Sequence, residues 1–375
     1  MGFAESLPST VDARRDPAGL PGHSAVSGRR GSDYAELSRQ VRAVGLLAKR
    51  PGYYRIRIGL AVGLSAAGWT GFALLGRSWW QLAIAALLAV VFAQLGFLGH
   101  DAGHRQVFTS RRANDALGLA CANLLIGLSY RWWIDKHNRH HAHPNQVGRD
   151  PDIAGAGLAF TPAQAAARRG AARRWMARHQ AGLFFPMLLL EGLSLHASSI
   201  QALVAHRGER TRAWWRESVL LTGHFGGYLT AVLLVLPPGQ AIAFVAVHQG
   251  LLGLYLGCSF APSHKGMPLL APGEELSFLH RQLLTSRNIR GGRWLDVAMG
   301  GLNYQIEHHL FPSRPSPTLR RAQPFVQAFC ASHHLPYHQA AVIGSYAQVL
   351  RYLRHVGARA RPKTKPSTIT QLEKS

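Results

Sequence analysis

The sequence predicts an all-α integral membrane protein with four transmembrane helices in two hairpins and a cytoplasmic helical cap that carries clustered histidines. Three observations lead to this prediction: long apolar blocks, a one-sided distribution of arginine and lysine, and three short histidine-rich stretches beside those blocks. The 375-residue chain has a net charge of +24, and 47% of its residues are hydrophobic. Its three cysteines lie far apart without a CxxC pair, which excludes a disulfide framework and a zinc–thiolate site.

Four apolar blocks are each long enough to cross a bilayer, which takes about 20 helical residues. A short turn at Arg77 joins the first two blocks, and Pro237, Pro238 and Gly239 separate the last two. Each pair is therefore expected to form a helical hairpin. The predicted spans are about 56–76, 79–98, 218–236 and 241–261.

Two further apolar stretches, 116–128 and 181–205, are predicted not to cross the membrane. The interval between His104 and His137 is too short for two spans, and one span would put these histidines on opposite sides. The first stretch is therefore expected to be re-entrant or interfacial. The second contains Glu191 and follows a basic segment, which is typical of a helix that lies along the membrane surface.

The charge distribution predicts the orientation of the four spans. The two hairpin turns contain one charged residue, Arg77, whereas nearly all other arginines and lysines fall on the opposite side. By the positive-inside rule, both termini and all histidine-rich stretches are predicted to lie in the cytoplasm, close to membrane lipids. Binding of nucleic acid is not expected, because the chain shows no separate basic soluble module.

The remaining sequence predicts three regions. Residues 1–50 are rich in Pro, Gly, Ser and Arg, which favours a disordered, basic, cytoplasmic segment. Residues 51–345 contain the spans and histidines and form the membrane domain, and residues 346–375 are predicted to be a basic tail.

The histidine-rich stretches have the spacing of helical metal sites. Residues at i, i+3 and i+4 share one helical face, so each stretch can direct its imidazoles at one point. A single zinc site takes three or four protein ligands, and seven histidines exceed that number. Imidazole suits Zn, Cu, Fe and Ni, so the sequence predicts two metal ions that share the ligands. The histidines are His100 and His104 in GHDAGH, His137, His140 and His141 in HNRHH, and His308 and His309 in QIEHH.

Such a site at a membrane surface suits the activation of dioxygen against an unactivated C–H bond. That reaction needs electrons from outside, a dry cavity and an apolar slot for the substrate, such as a lipid chain would fill. A non-catalytic metal-binding membrane protein, for example a transporter, is the alternative of another class. Transport favours ligands at the bilayer midplane, whereas these histidines follow the helix exits.

The boxes HDAGH, HNRHH and QIEHH, in this order and with four spans around them, closely resemble the membrane fatty acid desaturase family. The flanking sequences DPDI, SFAPSHKGM, TSRNIRG and GGLNYQIEHHLFP match as well, and the resemblance covers roughly residues 50–345. The glutamine that begins the third box is similar to the subgroup of front-end and acyl-CoA or acyl-lipid desaturases. The family resemblance implies an oxygen-dependent enzyme that introduces a cis double bond into a CoA- or lipid-linked fatty acyl chain.

Related enzymes remain open as alternatives. A hydroxylase, a ketolase or a sphingolipid desaturase has the same kind of histidine boxes, because the same irons can end in oxygen insertion. The family resemblance implies electrons from outside the membrane domain. The sequence contains no His-Pro-Gly-Gly signature of a fused cytochrome b5, so we expect a separate ferredoxin, cytochrome b5 or flavin reductase as the donor.

The resemblance also implies the ligand set. Two irons, with O2 as co-substrate, would be held by the seven box histidines and by His264, which follows the last span. Gln305 would contact metal-bound water or a ligand histidine. A ligating histidine usually donates its other N–H to an oxygen, so nearby polar side chains are candidates for that contact. These candidates are Asp101, Asp135, Asp150, Asp152, Asn303 and Glu307.

The other histidines are expected to serve packing or surface roles. We assign packing or polar contacts to four of them and surface positions to three near the C-terminus. His143 could equally support a ligand or be merely exposed. The packing group is His196, His206, His224 and His248, and the surface group is His333, His334 and His338.

Overall fold

The computed structural model describes residues 30–154 and 157–360, and this part of the chain is mostly helical. Two short strands, β1 (Asn288–Arg290) and β2 (Gln339–Ala341), pair in parallel, with Ile289 opposite Ala340. The α-helices are α1 (Arg30–Ala43), α2 (Pro51–Leu75), α3 (Gln81–Gly103), α4 (Arg111–Leu119), α5 (Tyr130–Ala142), α6 (Pro162–Ala166), α7 (Ala171–Leu188), α8 (Glu191–Ala205), α9 (Arg212–Val235), α10 (Pro238–His264), α11 (Phe278–Thr285), α12 (Arg293–Ala298), α13 (Gln305–Leu310), α14 (Leu319–Ser332) and α15 (Val342–Ala358).

Four of these helices, α2, α3, α9 and α10, are long and apolar enough to cross a membrane. Within their most apolar windows, 56% of α3 and 44% of α10 are buried, against 17% of α2 and 22% of α9. The pair α3 and α10 therefore forms the centre of the bundle. The turn after α2 is closed by buried Gln81, which donates to the carbonyls of Phe72 and Gly76 and so satisfies helix-end groups without water.

The predicted spans 79–98 and 241–261 ended too early. Helix α3 continues to Gly103 and α10 continues to His264. Both helices therefore extend beyond the apolar sequence at their C-terminal ends. The backbone hydrogen bonds of a helix do not require apolar side chains, which is why hydropathy alone misses these last turns. The first histidine box is therefore part of a long helix.

The two other apolar stretches are irregular. After α4 the chain forms a π-helix, Ala120–Leu125, and then turns at Gly127 with a φ of 73°. Helices α7 and α8 meet at an angle of 83°. The bend brings α8 against α10 so closely that a Cβ on Gly192 would lie 2.7 Å from the carbonyl oxygen of Gln249. This breaks the predicted surface helix 181–205 into two helices.

The prediction of disorder over residues 1–50 is wrong for the described part of this segment. Leu37 and Val41 of α1 are fully buried, and both pack with Leu283 of α11 and Val326 of α14. Their i, i+4 spacing is an amphipathic helix pattern that the many charged and small residues around it concealed. Residues 1–29 lie outside the described residues.

The predicted boundary between residues 345 and 346 is not a structural one. Helix α15 crosses it, and the buried side chains of Val349, Leu353 and Val356 pack this helix against its neighbours, including α7. Their i, i+4, i+7 spacing indicates an amphipathic helix despite the basic composition of the segment. The predicted basic tail is thus helical up to Ala358, and residues 361–375 lie outside the described residues.

Candidate metal centre

The structure brings together all eight histidines that the sequence singled out. They lie on or directly after four helices that meet at the ends of α3 and α10, and seven of them form two groups, within each of which the ligand atoms lie within 4.8 Å of one another. The first group comprises His100, His104, His137 and His308, and the second comprises His140, His264 and His309.

His141 lies between the two groups. Its Nε2 is 3.0 Å from Nε2 of His137 and 3.1 Å from Nε2 of His308, so its ring faces the first group. The ring also stacks on His309 of the second group with a centroid distance of 4.1 Å. The i, i+3, i+4 spacing of box two thus places one helix, α5, against both groups.

The ring orientations in the second group are determined by what each Nδ1 contacts. Nδ1 of His264 is 3.0 Å from the carbonyl oxygen of Thr285, which can only accept, so this nitrogen carries the hydrogen. Nδ1 of His309 donates to Oε1 of Gln282 at 2.8 Å. Nδ1 of His140 lies 3.1 Å from both carboxylate oxygens of Asp150.

The Nε2 atoms of the second group consequently present lone pairs to one another. Nε2 of His264 is 3.3 Å from Nε2 of His140 and 3.1 Å from Nε2 of His309. Two neutral imidazoles that both donate through Nδ1 cannot form a hydrogen bond through Nε2. Burial, and then the neighbouring histidines, hold the pKa of His309 well below its ordinary value, so this ring is neutral. Such convergent lone pairs fit a metal cation.

His140 is the exception in its electrostatics. Burial lowers the pKa of its ring, but the adjacent Asp152 and Asp150 outweigh burial and raise the pKa above its ordinary value. Burial would likewise raise the pKa of Asp150, but His140 brings it below the ordinary value. The two carboxylates therefore favour positive charge on this ring, either a proton or a metal bound at Nε2.

Buried ring nitrogens of the first group and of the adjacent His141 have no partner. Nε2 of His100, Nδ1 of His141 and Nδ1 of His308 form no hydrogen bond within the described residues. Unpaired buried polar atoms are rare in proteins and call for an explanation such as an ion. Burial first, and then the surrounding histidines, lower the pKa of His137, His141 and His308, so these rings are neutral and each keeps the lone pair of one ring nitrogen.

Three predicted supporting carboxylates contact the histidines. Asp101 lies 3.4 Å from Nδ1 of His100 and is itself held by Arg57 at 2.9 Å and the Tyr54 hydroxyl at 3.1 Å. Asp150 accepts from the backbone N–H groups of Asn145 and Asp152, at 2.7 and 2.8 Å, while it faces His140. Asp152 lies 3.5 Å from Nδ1 of His140.

Gln305 and Lys136 complete this polar surround. Gln305 directs Nε2 to within 2.9 Å of Nε2 of His264, in agreement with its predicted contact with a histidine. Lys136 pairs with Asp152 and keeps that carboxylate ionised beside His140.

Three other predicted supports contact no box histidine by side-chain hydrogen bond among the described residues. Asn303 donates to Asp296, and Asp135 is an exposed partner of Arg139. Glu307 accepts from Nδ2 of Asn288 at 2.7 Å and from the Tyr337 hydroxyl. Proximity in sequence misled the prediction here, because adjacent helical residues point about 100° apart.

Sequence reasoning missed the side chain that connects α11 to the histidines. Gln282 is fully buried; its Oε1 accepts from His309, and its Nε2 donates to the carbonyl of His141 at 3.0 Å. The sequence signal for Gln282 was a polar residue beside Leu279 and Leu283 on the apolar face of a helix. A polar side chain at a buried position is informative because it needs a specific partner.

A second missed residue fixes the start of α5. Glu217 of α9 is 5% exposed and accepts from the hydroxyl of Ser129 at 2.9 Å and from the backbone N–H of Arg131 at 2.8 Å. Ser199 of α8 accepts from the N–H of Ser129 at 3.0 Å. These contacts satisfy orphan donors at the start of the helix that carries box two. An acidic residue directly before the predicted span 218–236 was the signal that could have identified Glu217.

Other histidines of the described residues have different partners. Nδ1 of His143 is 3.0 Å from Oε1 of Gln146, and this side chain forms no hydrogen bond to a box histidine within the part of the chain that the structure describes. Nδ1 of His196 and Nδ1 of His224 each lie 2.9 Å from a backbone carbonyl, as expected for packing residues. The ring of His333 stacks on Phe329 with a centroid distance of 4.0 Å.

An elongated cavity of about 510 Å³ opens beside the histidines. His100, His137, His140, His264 and Gln305 line one part of its wall. Most of the remaining lining is apolar or aromatic, with charged groups at Lys136, Asp152, Glu191 and Lys265. The apolar segments that supply this wall include the irregular stretch after α4, the bend between α7 and α8, and the C-terminal part of α10. An apolar cavity with a few convergent polar groups is typical of a site for an apolar ligand.

Comparison with known proteins identifies relatives of most of this chain. The family model for fatty acid desaturases matches residues 77–341. An acyl-lipid (9-3)-desaturase of Physcomitrium patens is 33% identical over 287 residues, which cover 74% of this chain and 54% of that protein. A Delta(5) fatty acid desaturase of Caenorhabditis elegans is 31% identical, with 81% of this chain and 69% of that protein covered.

A Delta 8-(E)-sphingolipid desaturase of Emericella nidulans is also similar, at 29% identity, with 81% of this chain and 58% of that protein covered. The chain spans less than two thirds of the length of several of its relatives. The family match nevertheless includes all three histidine boxes and His264, which the structure gathers at one place. The chain belongs to the fatty acid desaturase family.

Proposed function

We propose that the protein is an oxygen-dependent desaturase that introduces a cis double bond into a CoA- or lipid-linked fatty acyl chain. The observation that carries this proposal is the pair of converging histidine groups beside an apolar cavity. Desaturase names among the relatives support the same reaction class. A site without such a cavity would suit metal storage or transport, which have no need of an apolar slot.

Two irons are the metals that we assign to the site. Imidazole ligands without thiolates suit iron, and the His100 and His140 groups would each hold one ion, with His141 between them. When bound, the irons would supply the activation of O2 for attack on an unactivated C–H bond. Asp101, Asp150 and Gln282 would orient the ring nitrogens, since partners of the second ring nitrogen fix tautomer and direction.

The cavity would hold the acyl chain against the metal centre. Its apolar wall would exclude water from the reacting carbons. It would also hold the acyl chain in a fixed orientation relative to the metal centre, which lowers the entropic cost of the reaction. Leu256 of α10 and Ile126 of the irregular stretch face this space, together with Trp133 of α5. Because Trp133 also stacks on His137 at 4.5 Å, one aromatic side chain would contact both the substrate and a ligand.

We further propose a multi-pass position in the cell membrane, with two helical hairpins and with both termini and the metal centre in the cytoplasm. The positive-inside distribution of arginine and lysine supports this orientation. Tags at Met1 and Ser375 should both be accessible from the cytoplasm in intact cells. An external C-terminal tag would mean that the α7–α8 pair crosses the membrane.

The electrons would come from a separate ferredoxin, cytochrome b5 or flavin reductase. The purified chain with NAD(P)H alone should not turn over, and addition of a reductase chain should start the reaction. Turnover without any added donor would contradict this part of the proposal.

Sphingolipid desaturation is the second candidate function. The similarity to the sphingolipid desaturase of Emericella nidulans favours it specifically, whereas no observation favours a hydroxylase or ketolase. The difference would lie in the chain that is desaturated, a sphingoid base instead of a fatty acyl chain.

The deciding experiment is analysis of fatty acids and sphingoid bases from cells that express the chain together with a reductase. Gas chromatography with mass spectrometry, after chemical location of the double bond, should reveal a new unsaturated fatty acid. Matched cells that express His140→Ala or His308→Ala should lack it. A hydroxylated product, or a new double bond only in the sphingoid base, would replace the proposed function with one of its alternatives.

A further inference from the structure

A basic groove lies at the beginning of α2, away from the acyl cavity. Its volume is about 480 Å³, and its walls are residues 49–53 on one side and Pro317, Thr318 and Arg321 on the other. Lys49 donates to the backbone carbonyl of Arg105. Neither Arg50 nor Arg321 forms an ion pair with a carboxylate among the described residues, although exposed arginines elsewhere, such as Arg320, do.

A third guanidinium lies behind the groove wall. Arg314 is 1% exposed, and its Nε and Nη2 donate at 2.9 Å to the hydroxyl and the carbonyl of Thr318. Its Nη1 is buried and has no hydrogen-bond partner within the described residues. Burial, and then the nearby Arg321 and Arg50, lower the pKa of Arg314 to about 10, although Glu307 acts in the opposite direction. Three guanidinium groups therefore lie close together here, and none of them forms an ion pair with a carboxylate among the described residues.

The groove also has the position of a headgroup site. Helix α2 begins at Pro51 and is apolar enough to cross a membrane, and its residues Ile56 and Leu60 are more than 60% exposed to the outside of the bundle. Tyr53, one turn before them, lies in the groove wall at the level where aromatic residues meet lipid headgroups. The N-terminus of α2 has no side-chain cap, so its first backbone N–H groups have no side-chain acceptor. The positive end of the helix dipole at this terminus favours an anion.

We propose that this groove binds the phosphate of an anionic phospholipid. Arg50 and Arg321 pair with the phosphate from opposite walls, while the acyl chains of the lipid lie along the exposed apolar face of α2. The proposal rests on the membrane position of α2 assigned above and not on the reaction. It goes beyond the substrate site, since the groove shares no lining residue with the acyl cavity.

Binding would fasten α2 to the turn that precedes α14. Directly beneath this turn, Oε1 of Gln106 accepts from both the N–H and the hydroxyl of Ser316, at 2.9 and 3.0 Å. Tyr54 connects the same network to Asp101, which faces His100. A phosphate held between the two walls therefore stabilises the layer that supports the first histidine group, without touching a ligand.

The test compares lipids and charge-matched variants of the full-length protein in detergent. Wild type, Arg50→Gln/Arg321→Gln and the control Arg173→Gln/Arg174→Gln would be titrated with phosphatidylglycerol, phosphatidylcholine and inorganic phosphate. Bound lipid would be counted by native mass spectrometry, and the thermal midpoint would be recorded. The control removes the same charge from exposed positions on α7.

Phosphatidylglycerol should bind wild type and control in one tight equivalent and raise their thermal midpoints. An arginine near an anionic headgroup contributes about a fivefold gain in affinity, so the groove variant should bind roughly 25-fold more weakly. Arg50→Gln and Arg321→Gln as single changes should each show about a fivefold loss. Equal binding by groove variant and control, or equal binding of phosphatidylcholine, would overturn the proposal. Inorganic phosphate as effective as the lipid would show a free-anion site instead.

Discussion

Two sets of buried histidines in this molecule differ in where their ring nitrogens point. In the second histidine group, Nδ1 of each ring is directed outward to Asp150, Gln282 or a backbone carbonyl, and Nε2 of His264 lies 3.3 Å or less from Nε2 of His140 and of His309. In the packing set, Nδ1 of His196 and Nδ1 of His224 each contact a single backbone carbonyl, and the two ring centroids lie 6.3 Å apart. All five rings are buried, so convergence of lone pairs is the feature that separates the candidate metal ligands from the packing histidines.

The packing set has its own physical task. The chain after α4 departs from regular α-helix, and the carbonyls of Leu124 and Gly127 lie at the irregular end of this segment. His224 and His196 occupy those carbonyls, and Glu217 satisfies donors a few residues later. These side chains thus hold the irregular segment that leads into box two.

The largest effect is expected for His264→Ala. The protein should lose most of one iron, and turnover should fall more than about 100-fold, beyond the range typical for loss of a supporting partner. Iron content by mass spectrometry and product formation measure this. His196→Ala is the matched control, because it removes a buried histidine of the same size from α8 and should keep both irons. Equal iron and turnover in the two variants would show that His264 is not a ligand.

An intermediate effect is expected for the residues that orient the rings of the second group. Asp150→Asn and Gln282→Leu should each lower iron affinity or turnover by about 10- to 100-fold, because each removes the partner of one Nδ1. Competition with a chelator measures the affinity. Glu307→Gln, on α13 but with no hydrogen bond to a box histidine among the described residues, is the comparison variant and should retain the higher iron affinity. A larger loss from Glu307→Gln than from Gln282→Leu would reverse this assignment.

A smaller effect is expected for Glu217→Gln, which removes one of two buried acceptor contacts at the start of α5. A donor left unsatisfied costs roughly 1–3 kcal/mol, so the thermal midpoint should fall and turnover should fall with it. Glu209→Gln is the control, since that carboxylate is exposed and pairs with Arg131 at the surface. Indistinguishable midpoints for the two variants would mean that Glu217 does not hold α5.

The sequence predicted the histidines better than their surroundings. Helical spacing and a family resemblance were enough to choose eight rings that the structure brings together. Residue type and position on a helical face can both be read from the local sequence. The supports were predicted less well: Asp101 and Asp150 contact the histidines, but Gln282 was missed and Glu307 faces Asn288. Which side chain meets the second ring nitrogen depends on how distant helices pack, and local sequence does not contain that information.

The same reasoning applies to the fold. Four apolar blocks predicted four long apolar helices, since hydropathy follows composition. The helix ends, the 83° bend between α7 and α8, and the packing of α1 and α15 were not predicted. These features depend on buried backbone contacts and on sparse amphipathic patterns such as Leu37 with Val41.

The smallest effect is expected for His333→Ala. This variant tests whether a histidine whose ring nitrogens do not converge with those of other histidines contributes to iron binding. Nδ1 of His333 lies 3.0 Å from the carbonyl of Phe329 and the ring stacks on the Phe329 side chain, far from any convergent lone pair. Loss of such a stacked pair costs about 0.5–1.5 kcal/mol, so a modest fall in the thermal midpoint should be the only change. Iron content and turnover should equal those of wild type when measured beside His264→Ala in one preparation series. If His333→Ala lost iron, convergence of Nε2 atoms would no longer separate the ligands from the other histidines.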